Sequence, residues 1–390
     1  MLTKTKIIHL IGSLSPGGVQ TYILNISNYD NIHNIRREVW ALYQKNGLLY
    51  TEFLKKNINV SPCHIIPADK NWRPYFLWKR LRHFASIFYF LRLFRKLKIS
   101  KPDLVVLHEP VRILTQFFVL RLLNIPMIWN IHGEKSLVKN KRVFKWMYKY
   151  FFKNKLTIIA DSKYVLLKNL SYMKESFYPN FEDMQIVHAT VDLDKFLSIK
   201  RKYTKKKEDL IIGSVGRLNW AKGYDLLIES LSVLKKNHPN FQMKIAGDGP
   251  YRSKLENMID YYSLRDNVII LGELHYNDIP KFYDSINLYT QPSISEALSI
   301  TLQEAMASSL PILASNAGGI PEVIDHNETG ILFEKGNKKE LIIGLKKIIA
   351  MDNSQREEMG EKARERSIKK FDIKKTAKTL NNIYNEALNK

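Results

Sequence analysis

The sequence contains a single cysteine, Cys63, in 390 residues. One thiol cannot form an internal disulfide, so a disulfide framework is excluded and a reducing compartment is expected. Long apolar runs are also missing, since the longest apolar stretch, residues 84–91, is far shorter than the roughly 20 residues of a spanning helix. The run from Ile7 to Leu14 is short and lacks a small-residue cleavage site, so we interpret it as a buried first strand rather than a signal peptide.

Acidic residues are scarce in the first half of the chain. Residues 1–200 hold 32 Lys and Arg against 13 Asp and Glu, a balance of +19, whereas residues 201–390 hold 29 against 25, a balance of +4. So uneven an excess indicates an anionic partner for the first half, with nucleic acid and an anionic membrane as the candidates. No recognised nucleic-acid-reading motif is present, so we expect no nucleic acid.

The length and the pattern of the chain predict two domains. Short β-rich runs alternate with helical stripes such as Leu227, Leu231 and Leu234. The runs are IIHLIGSL, REVWALY, LVVLHE, MIWNIHG and TIIADS in the first half, and IIGSVGRL, MKIAGDGP, VIILGEL, INLYTQP and PILASNAGG in the second. This alternation predicts an α/β fold of two doubly wound, Rossmann-like domains that face a central cleft.

The predicted domain boundaries follow a change in composition. Residues 1–195 form the first domain and 205–370 the second, because the segment between them is polar and charged. Residues 371–390 are expected to form a helix that packs back toward the first domain.

A basic, aromatic segment lies within the first domain. Between Asp69 and Asp103 there are ten Lys and Arg and no acid. We predict that Leu77, Leu81, Phe84, Phe88 and Leu91 form a packing stripe, with Tyr89 and Phe90 off that face. A basic helix with aromatics off its core face is typical of an interfacial membrane element, although a solvated basic helix is the alternative. The predicted membrane contacts are Trp72, Arg73, Trp78, Lys79, Arg80, Arg82, Tyr89, Phe90, Arg92 and Arg95.

Two glutamates eight positions apart, Glu296 and Glu304, lie in the run PSISEALSITLQEAMASSLPILAS. The run predicts a loop that carries Glu296 and a helix that carries Glu304, with the N–H groups of residues 299–301 at the helix start. Such N–H groups and the helix dipole bind phosphate oxygens, and acids on both sides suit a nucleotide-sugar. The ordinary alternative is a capping box of Thr301 and Glu304, with Glu296 as a loop carboxylate.

Two glycine-containing turns follow predicted strands. Gly17 and Gly18 come after the first strand and allow a close backbone approach to a phosphate, or they form a tight strand–helix turn. The turn AGDGP at 246–250 follows another strand, where Asp248 could serve only to fix the turn. Neither segment is a Walker loop or a full dinucleotide fingerprint.

Cations and a histidine lie at other strand ends. Arg217 and Lys222, in GRLNWAKG, could neutralise a diphosphate through charge-assisted hydrogen bonds of roughly 1.5–3 kcal/mol each, or could be surface bases. His132, in WNIHGE, could donate to a phosphate or a sugar hydroxyl, or could be a structural histidine.

Together these segments resemble the retaining glycosyltransferases of family 4, which have the GT-B fold. The resemblance covers essentially the whole chain in order: the GG loop, the HG strand end, GRL…KG, GDGP, and the paired glutamates with EAMA. It implies that His132, Glu296, Arg217 and Lys222 are catalytic. The implied donor-binding residues are Gly17, Gly18, Arg217, Lys222, Gly247, Leu274, Glu296, Ser299, Ile300, Thr301 and Glu304.

The resemblance also assigns roles, with the second domain binding the nucleotide-sugar and the first binding the acceptor. Arg217 and Lys222 would hold the donor diphosphate, Glu304 would bind the ribose hydroxyls, and Glu296 would bind hydroxyls of the transferred sugar. The amides of residues 299–301 would touch the phosphates. From the first domain, the GG loop would close on the diphosphate and the HG histidine would line the reaction centre, while the base would lie near Gly272-Glu273-Leu274.

The implied activity is retaining transfer from a nucleotide-diphosphate sugar, UDP-linked in preference to GDP-linked, to a lipid-linked saccharide or glycolipid. The expected setting is bacterial surface-polysaccharide assembly on the inner face of the cytoplasmic membrane. No cofactor and no obligatory metal are expected, because the Asp-x-Asp match at residues 192–194 lies in the HATVDLDKF turn.

The sequence departs from the family pattern at two places. Leu298-Ser299 follows the first glutamate where Phe-Gly or a similar pair is frequent, and Ser308-Ser309-Leu310 stands where Cys-Gly or Ser-Gly is usual. These changes leave the donor sugar and the local loop shape open. The alternatives are another GT-B enzyme, such as a nucleotide-sugar epimerase or a phosphorylase, and a non-catalytic binder of anionic polymers.

Overall fold

The computed structural model describes residues 4–14, 17–43, 48–62, 82–108, 113–133, 156–171, 184–199 and 210–390. The chain divides into two compact units. Unit 1 comprises Met1–His188 and Lys374–Lys390, and unit 2 comprises Ala189–Ile373. The division thus falls a few residues before the predicted end of the first domain at 195, and the C-terminal helix belongs to unit 1.

A seven-stranded parallel sheet forms the centre of unit 1, in the strand order β3-β2-β1-β4-β5-β6-β7. The inner strands β4, β5 and β6 are buried along their whole length, because helices cover both faces of such a sheet. The order reverses between β1 and β4, which is the switch point where doubly wound sheets bind ligands. The strands are β1 Thr5–Ser13, β2 Ile35–Tyr43, β3 Asn59–Pro62, β4 Leu104–Leu107, β5 Met127–Ile131, β6 Leu156–Ala160 and β7 Met184–Ile186.

The described helices of unit 1 include one that carries part of the basic, aromatic segment. Their bounds are Gly18–Ile26, Leu48–Lys55, Arg82–Ser100, Ile113–Leu122, Lys163–Ser171 and Ile373–Leu388, with a 3-10 turn at Ser27–Tyr29. Among the described residues, no helix combines the length and the apolar content that crossing a bilayer requires.

The helix Arg82–Ser100 buries a different face from the predicted one. Tyr89, Leu93 and Leu97 are fully buried, whereas Phe88 and Leu91 are 52% and 59% exposed. Spacing of four residues carries the Tyr89 stripe to the end of the helix, and the Tyr89 hydroxyl accepts a hydrogen bond of 3.0 Å from Gln116. The face that carries Phe88 and Leu91 instead continues with the exposed basic residues Arg92 and Arg95. The predictions that Phe88 and Leu91 pack inward and that Tyr89 contacts a membrane are therefore wrong.

The remaining predicted membrane contacts have different standings. Arg92 and Arg95 are exposed on the helix, Phe90 is half-buried, and Arg82 is the first helical residue. The others lie outside the described residues, as do two leucines of the predicted stripe. These residues are Trp72, Arg73, Leu77, Trp78, Lys79, Arg80 and Leu81.

Unit 2 repeats the winding with a six-stranded parallel sheet in the order β10-β9-β8-β11-β12-β13. Its switch point lies between β8 and β11. The leucines of the predicted stripe at 227, 231 and 234 are fully buried in its core. The strands are β8 Ile211–Val215, β9 Gln242–Ala246, β10 Val268–Gly272, β11 Leu288–Gln291, β12 Ile312–Ser315 and β13 Ile331–Phe333.

Helices cover this second sheet, so two doubly wound parallel α/β units are present and the predicted fold class is confirmed. A 3-10 turn, Trp220–Lys222, lies between β8 and the helix that follows it. The helices of unit 2 are Asp194–Leu197, Tyr224–Lys235, Arg252–Tyr261, Ile279–Asp284, Ile300–Ala307, Ile320–Val323, Lys338–Ala350 and Asn353–Lys370.

Candidate functional site

The loops after β8, β9 and β10 meet at the carboxyl edge of the unit 2 sheet. Gly247, with φ +143°, donates its N–H to the Gly272 carbonyl at 2.7 Å. A Cβ at Gly247 would lie 2.0 Å from the Gly216 carbonyl oxygen, so only glycine fits there. Asp248 accepts a hydrogen bond of 2.6 Å from the following backbone N–H and thereby fixes the turn. The loop that carries Arg217 therefore packs directly on the AGDGP turn.

Lys222 and Glu296 form an ion pair between the loops that follow β8 and β11. The distance from Lys222 Nζ to Glu296 Oε2 is 2.6 Å, and both side chains are mostly buried. Gly223 permits this approach, because its φ is +65° and a Cβ there would lie 2.0 Å from the Pro292 carbonyl oxygen. The two loops are also joined by a backbone hydrogen bond of 2.8 Å. The pair is thus held at the switch point by the backbone as well as by its charges.

The Glu296 carboxylate is oriented by donors that all reach one oxygen. Besides Lys222, Gln291 Nε2 donates to Oε2 at 2.9 Å and Ser293 Oγ donates to it at 3.3 Å. Within the part of the chain that the structure describes, Oε1 accepts no hydrogen bond. Sequence reasoning missed Gln291 and Ser293, although a polar residue at the end of a buried strand such as β11 was a usable signal. This geometry leaves Oε1 ready to accept from ligand hydroxyls.

The helix Ile300–Ala307 begins beside this carboxylate and is capped by Ser299. Ser299 Oγ accepts from the Leu302 N–H at 3.2 Å and donates to Gln291 Oε1 at 2.8 Å. The capping box of Thr301 and Glu304 is therefore wrong, because Ser299 has the extended backbone of an N-cap and Thr301 lies inside the helix. The first N–H groups of a helix lack intrahelical acceptors, so this end can receive phosphate oxygens.

Glu304 is a buried carboxyl group one turn further along that helix. It is only 6% exposed, and the Tyr283 hydroxyl lies 2.9 Å from its Oε2. Burial raises the pKa of Glu304 from its ordinary value near 4.5 to about 7, against the opposing effects of the Tyr283 hydrogen bond and the Lys195 charge. The ionised form is therefore costly until further donors reach it, and paired ribose hydroxyls are donors of that kind.

Arg217 lies two residues beyond the end of β8 and is exposed. It forms no hydrogen bond or ion pair with any residue in the described ranges. Leu274, two residues beyond β10, is half-buried at the same edge of the sheet. The predicted donor residues of unit 2 thus lie on the loops that follow its parallel strands or on the helix Ile300–Ala307, with Glu304 one turn inside it.

The predicted residues of unit 1 lie at the carboxyl edge of the first sheet. Gly17 is the N-cap of the helix Gly18–Ile26. Both glycines are exposed, and Gly17 has an extended φ of −178° that any residue could adopt. A left-handed backbone is therefore not what calls for glycine at position 17.

His132 directly follows β5, and both of its ring nitrogens have partners. Nδ1 lies 2.5 Å from Asp161 Oδ2, and Nε2 lies 2.6 Å from His108 Nδ1. Sequence reasoning missed Asp161 and His108. The usable signal was that three predicted strands end in polar residues (LVVLH, MIWNIH and TIIAD), since neighbouring parallel strands end at one edge.

No group of three or more His, Cys, Asp or Glu side chains in the described ranges is arranged to hold a metal ion. Asp192 precedes and Asp194 begins the short helix Asp194–Leu197.

Comparison with known proteins matches the two halves of the chain to two family models. Residues 16–195 match the family described as Glycosyltransferase Family 4, and residues 196–366 match Glycosyl transferases group 1. An uncharacterised glycosyltransferase of Haemophilus influenzae is 36% identical over 145 residues, which are 37% of this chain and 40% of that protein. The capsular polysaccharide biosynthesis glycosyltransferase CapM of Staphylococcus aureus is 29% identical over 191 residues, which are 49% of this chain and 50% of that protein. The matched part therefore spans about half or less of these two relatives.

The solved structures extend the similarity to nearly the full chain. The Anabaena protein Alr3699/HepE, crystallised with UDP-glucose, has a TM-score of 0.76 and 19% sequence identity, and the match covers 96% of this chain and 97% of that one. At this identity the likeness establishes the fold alone. Together with the two family models, it shows that the chain is a family 4-like protein with the GT-B glycosyltransferase fold.

Proposed function

We propose that this protein is a retaining glycosyltransferase that transfers a sugar from a nucleoside diphosphate sugar to a hydroxyl of a lipid-linked saccharide. A UDP-linked donor is favoured over a GDP-linked one, in keeping with the UDP-glucose bound by the Anabaena neighbour. The proposed setting is bacterial surface-polysaccharide assembly, as the name of the CapM relative suggests. The proposed location is the inner face of the cytoplasmic membrane.

The single observation that carries the proposal is the Glu296 centre at the unit 2 switch point. A lysine ammonium suited to phosphate lies 2.6 Å from a carboxylate whose second oxygen is available to hydroxyls, and both lie beside a capped helix start. A nucleoside diphosphate sugar carries its phosphates between the ribose and the transferred sugar. The lysine and the helix start would therefore receive the phosphates, and Glu296 would receive the hydroxyls of the sugar. Glu304, on the same helix, would receive the ribose hydroxyls.

The chemistry follows from these placements. Departure of the diphosphate leaves positive charge on the sugar ring, while negative charge grows on the leaving phosphate. Arg217 and Lys222 would stabilise that phosphate, and the loss of one such preorganised group costs ~10²–10³ in rate. The leaving phosphate would itself accept the proton of the attacking hydroxyl, so no second catalytic carboxylate of the glycosidase type is required.

Thermal stabilisation tests the donor site. UDP, GDP, ADP and TDP and their common sugar conjugates would be added to the protein with and without a chelator. A ligand that binds only the folded state raises the free energy of unfolding, by about 2.7 kcal/mol at a ligand concentration of 100 times Kd, and so raises Tm. We expect a clear shift with a uridine or guanosine diphosphate and no effect of the chelator. If none of the nucleotides shifts Tm, the proposed site is wrong. A separate analysis of the transfer product tests the retaining assignment, which is wrong if the anomeric configuration is inverted.

The membrane part of the proposal rests on the exposed face of the helix Arg82–Ser100. Ile87, Phe88 and Leu91 are each more than half exposed, and they adjoin the exposed Arg92 and Arg95. Apolar residues bordered by bases suit an anionic lipid surface, to which each base adds about 1 kcal/mol. This face replaces the predicted one that included Tyr89. It would bring the protein to a membrane-bound acceptor.

Vesicle flotation tests this docking. We expect binding to vesicles that contain anionic phosphatidylglycerol at low salt, with loss of binding in neutral phosphatidylcholine or at high salt. The double variant Phe88→Ser with Leu91→Ser should float several-fold less. Ile343→Ser, which alters an equally exposed apolar residue (63%) of unit 2, should not change flotation. Equal flotation of both variants would contradict the assignment of this face.

A further inference from the structure

Three histidines of unit 1 form a head-to-tail chain at its switch point. His9 lies in β1, and His108 and His132 directly follow β4 and β5. His9 Nδ1 lies 2.7 Å from His108 Nε2, and His108 Nδ1 lies 2.6 Å from His132 Nε2. Neighbouring ring centroids are 4.9 Å apart and the rings are nearly parallel. We call these three residues the histidine array.

The two ends of the histidine array have opposite hydrogen-bonding capacities. The Arg37 guanidinium contacts His9 Nε2, and Arg37 is itself paired with Asp30 at 2.7 Å. At the other end, Asp161 Oδ2 lies 2.5 Å from His132 Nδ1. Arginine can only donate, and a carboxylate can only accept. Every link between them must therefore carry one proton, pointing from Arg37 toward Asp161.

This direction fixes the tautomer of each ring. The proton lies on Nδ1 in all three histidines, and each Nε2 accepts from the preceding group. An added proton would have to reside on an Nε2, where it would face an N–H already present. Shifting it along the array only moves the conflict to Arg37, which cannot give up its proton. The histidine array thus accommodates three neutral rings and no imidazolium.

The surroundings agree with neutrality. Burial, followed by the Arg37 charge and the other two rings, holds the pKa of His9 well below its ordinary value. Burial, followed by His132 and Arg37, does the same for His108. Among the described residues, the titratable and charged groups around the histidine array and its two end partners are Tyr22, Asp30, Arg37, Asp161, His188 and Tyr384.

The spacing does not suit a metal centre. Two imidazole nitrogens that share a tetrahedral zinc at about 2.1 Å would be roughly 3.4 Å apart. The observed separations of 2.6 and 2.7 Å are those of hydrogen bonds. The histidine array is therefore read as a hydrogen-bonded chain.

We propose that Arg37, His9 and His108 are positioning residues that keep His132 neutral with its proton on Nδ1. Asp161 alone would favour a charged His132, because a nearby carboxylate stabilises an imidazolium. The proton that His108 donates into His132 Nε2 blocks that outcome. This proposal rests on the proposed transfer reaction, in which an imidazolium beside an oxocarbenium-like sugar would raise the barrier by like-charge repulsion.

The first test needs no variant and no activity. In protein labelled with 15N in histidine, long-range proton–nitrogen correlation reports which ring nitrogen carries the proton. We expect three rings protonated on Nδ1 that do not titrate between pH 6 and 8. A His132 ring with its proton on Nε2, or one that titrates in this range, would overturn the proposal. Failure of the transfer reaction would leave this measurement unaffected, so the two failures can be told apart.

The second test breaks one link. His108→Leu removes the donor to His132, so His132 Nε2 becomes free to take up a proton, and the pH profile of kcat/KM should gain an acid limb that falls about tenfold per pH unit. His108→Gln retains one donor and one acceptor and should restore the wild-type profile. A merely structural His108 would lower the rate equally at all pH values. That result, or an acid limb in both variants, would refute the positioning role.

Discussion

Replacing Arg217 with alanine should lower kcat/KM for sugar transfer by ~10²–10³ and leave the stability of the ligand-free protein unchanged. The rate falls because the side chain would hold the leaving diphosphate as its charge grows. The stability does not fall, because Arg217 is exposed and makes no hydrogen bond or ion pair with any described residue. Initial rates over a range of donor concentrations, together with thermal unfolding without ligand, measure both quantities.

Arg265 supplies a matched control for this substitution. It is an exposed arginine of the same unit, but it precedes β10 and so lies at the amino-terminal edge of the sheet. Arg265→Ala makes the same change in net charge and loses a surface ion pair with Asp260, worth at most about 1 kcal/mol. Transfer by this variant should match the wild type. Near-wild-type transfer by Arg217→Ala at saturating donor would remove the diphosphate assignment.

The inner strands of both sheets and the edge strand β10 could be predicted from the sequence, and the other three edge strands could not. All ten predicted strands are present, because buried parallel strands are continuous apolar runs such as LVVL in β4 and ILAS in β12. The three missed strands, β3, β7 and β13, all lie at sheet edges. These three strands have only three or four residues, one of them ending at Pro62, whereas the predicted edge strand β10 has five. Such runs carry too little periodicity to separate from loops.

Site residues were predictable where their chemistry is local and were missed where it depends on packing. Lys222 and Glu296 stand 74 positions apart, yet each follows a strand, and each suits a chemical group of the nucleotide-sugar, a phosphate for the lysine and a hydroxyl for the glutamate. The histidine array was missed because the direction of its hydrogen bonds depends on Arg37. Arg37 lies in β2 and contacts His9 in the neighbouring strand β1, a contact that only the pairing of the two strands reveals. Tyr89 was assigned to the wrong face because the predicted packing stripe ended at Leu91. The buried stripe that contains Tyr89 continues through Leu93 and Leu97, which the prediction did not include.

Replacing Glu304 with glutamine should stabilise the ligand-free protein at pH 8 while weakening nucleotide binding. In the folded protein burial raises the pKa of Glu304 to about 7, above its unfolded value near 4.5. The folded state therefore binds the proton more tightly. The contribution of this group is full below about pH 4.5 and is lost as pH rises through 7, at a cost on the order of 3 kcal/mol. Glutamine keeps a partner for Tyr283 without the charge.

The same substitution should raise Kd for the nucleoside diphosphate about tenfold or more, because the carboxylate would accept charge-assisted hydrogen bonds from the ribose. The control is Glu358→Gln, on an exposed carboxylate of unit 2, which should change neither property. Subtracting the wild-type curve removes the opposite trend of the buried neutral histidines, which favour unfolding as pH falls below about 6.5. Unfolding curves from pH 5 to 8 and titration with UDP then separate the outcomes. If Glu304→Gln stabilises the protein and leaves Kd for UDP unchanged, Glu304 is only a residue of the core. If the variant is more stable at pH 8 but binds UDP more weakly, the buried carboxylate is held in place to bind the nucleotide.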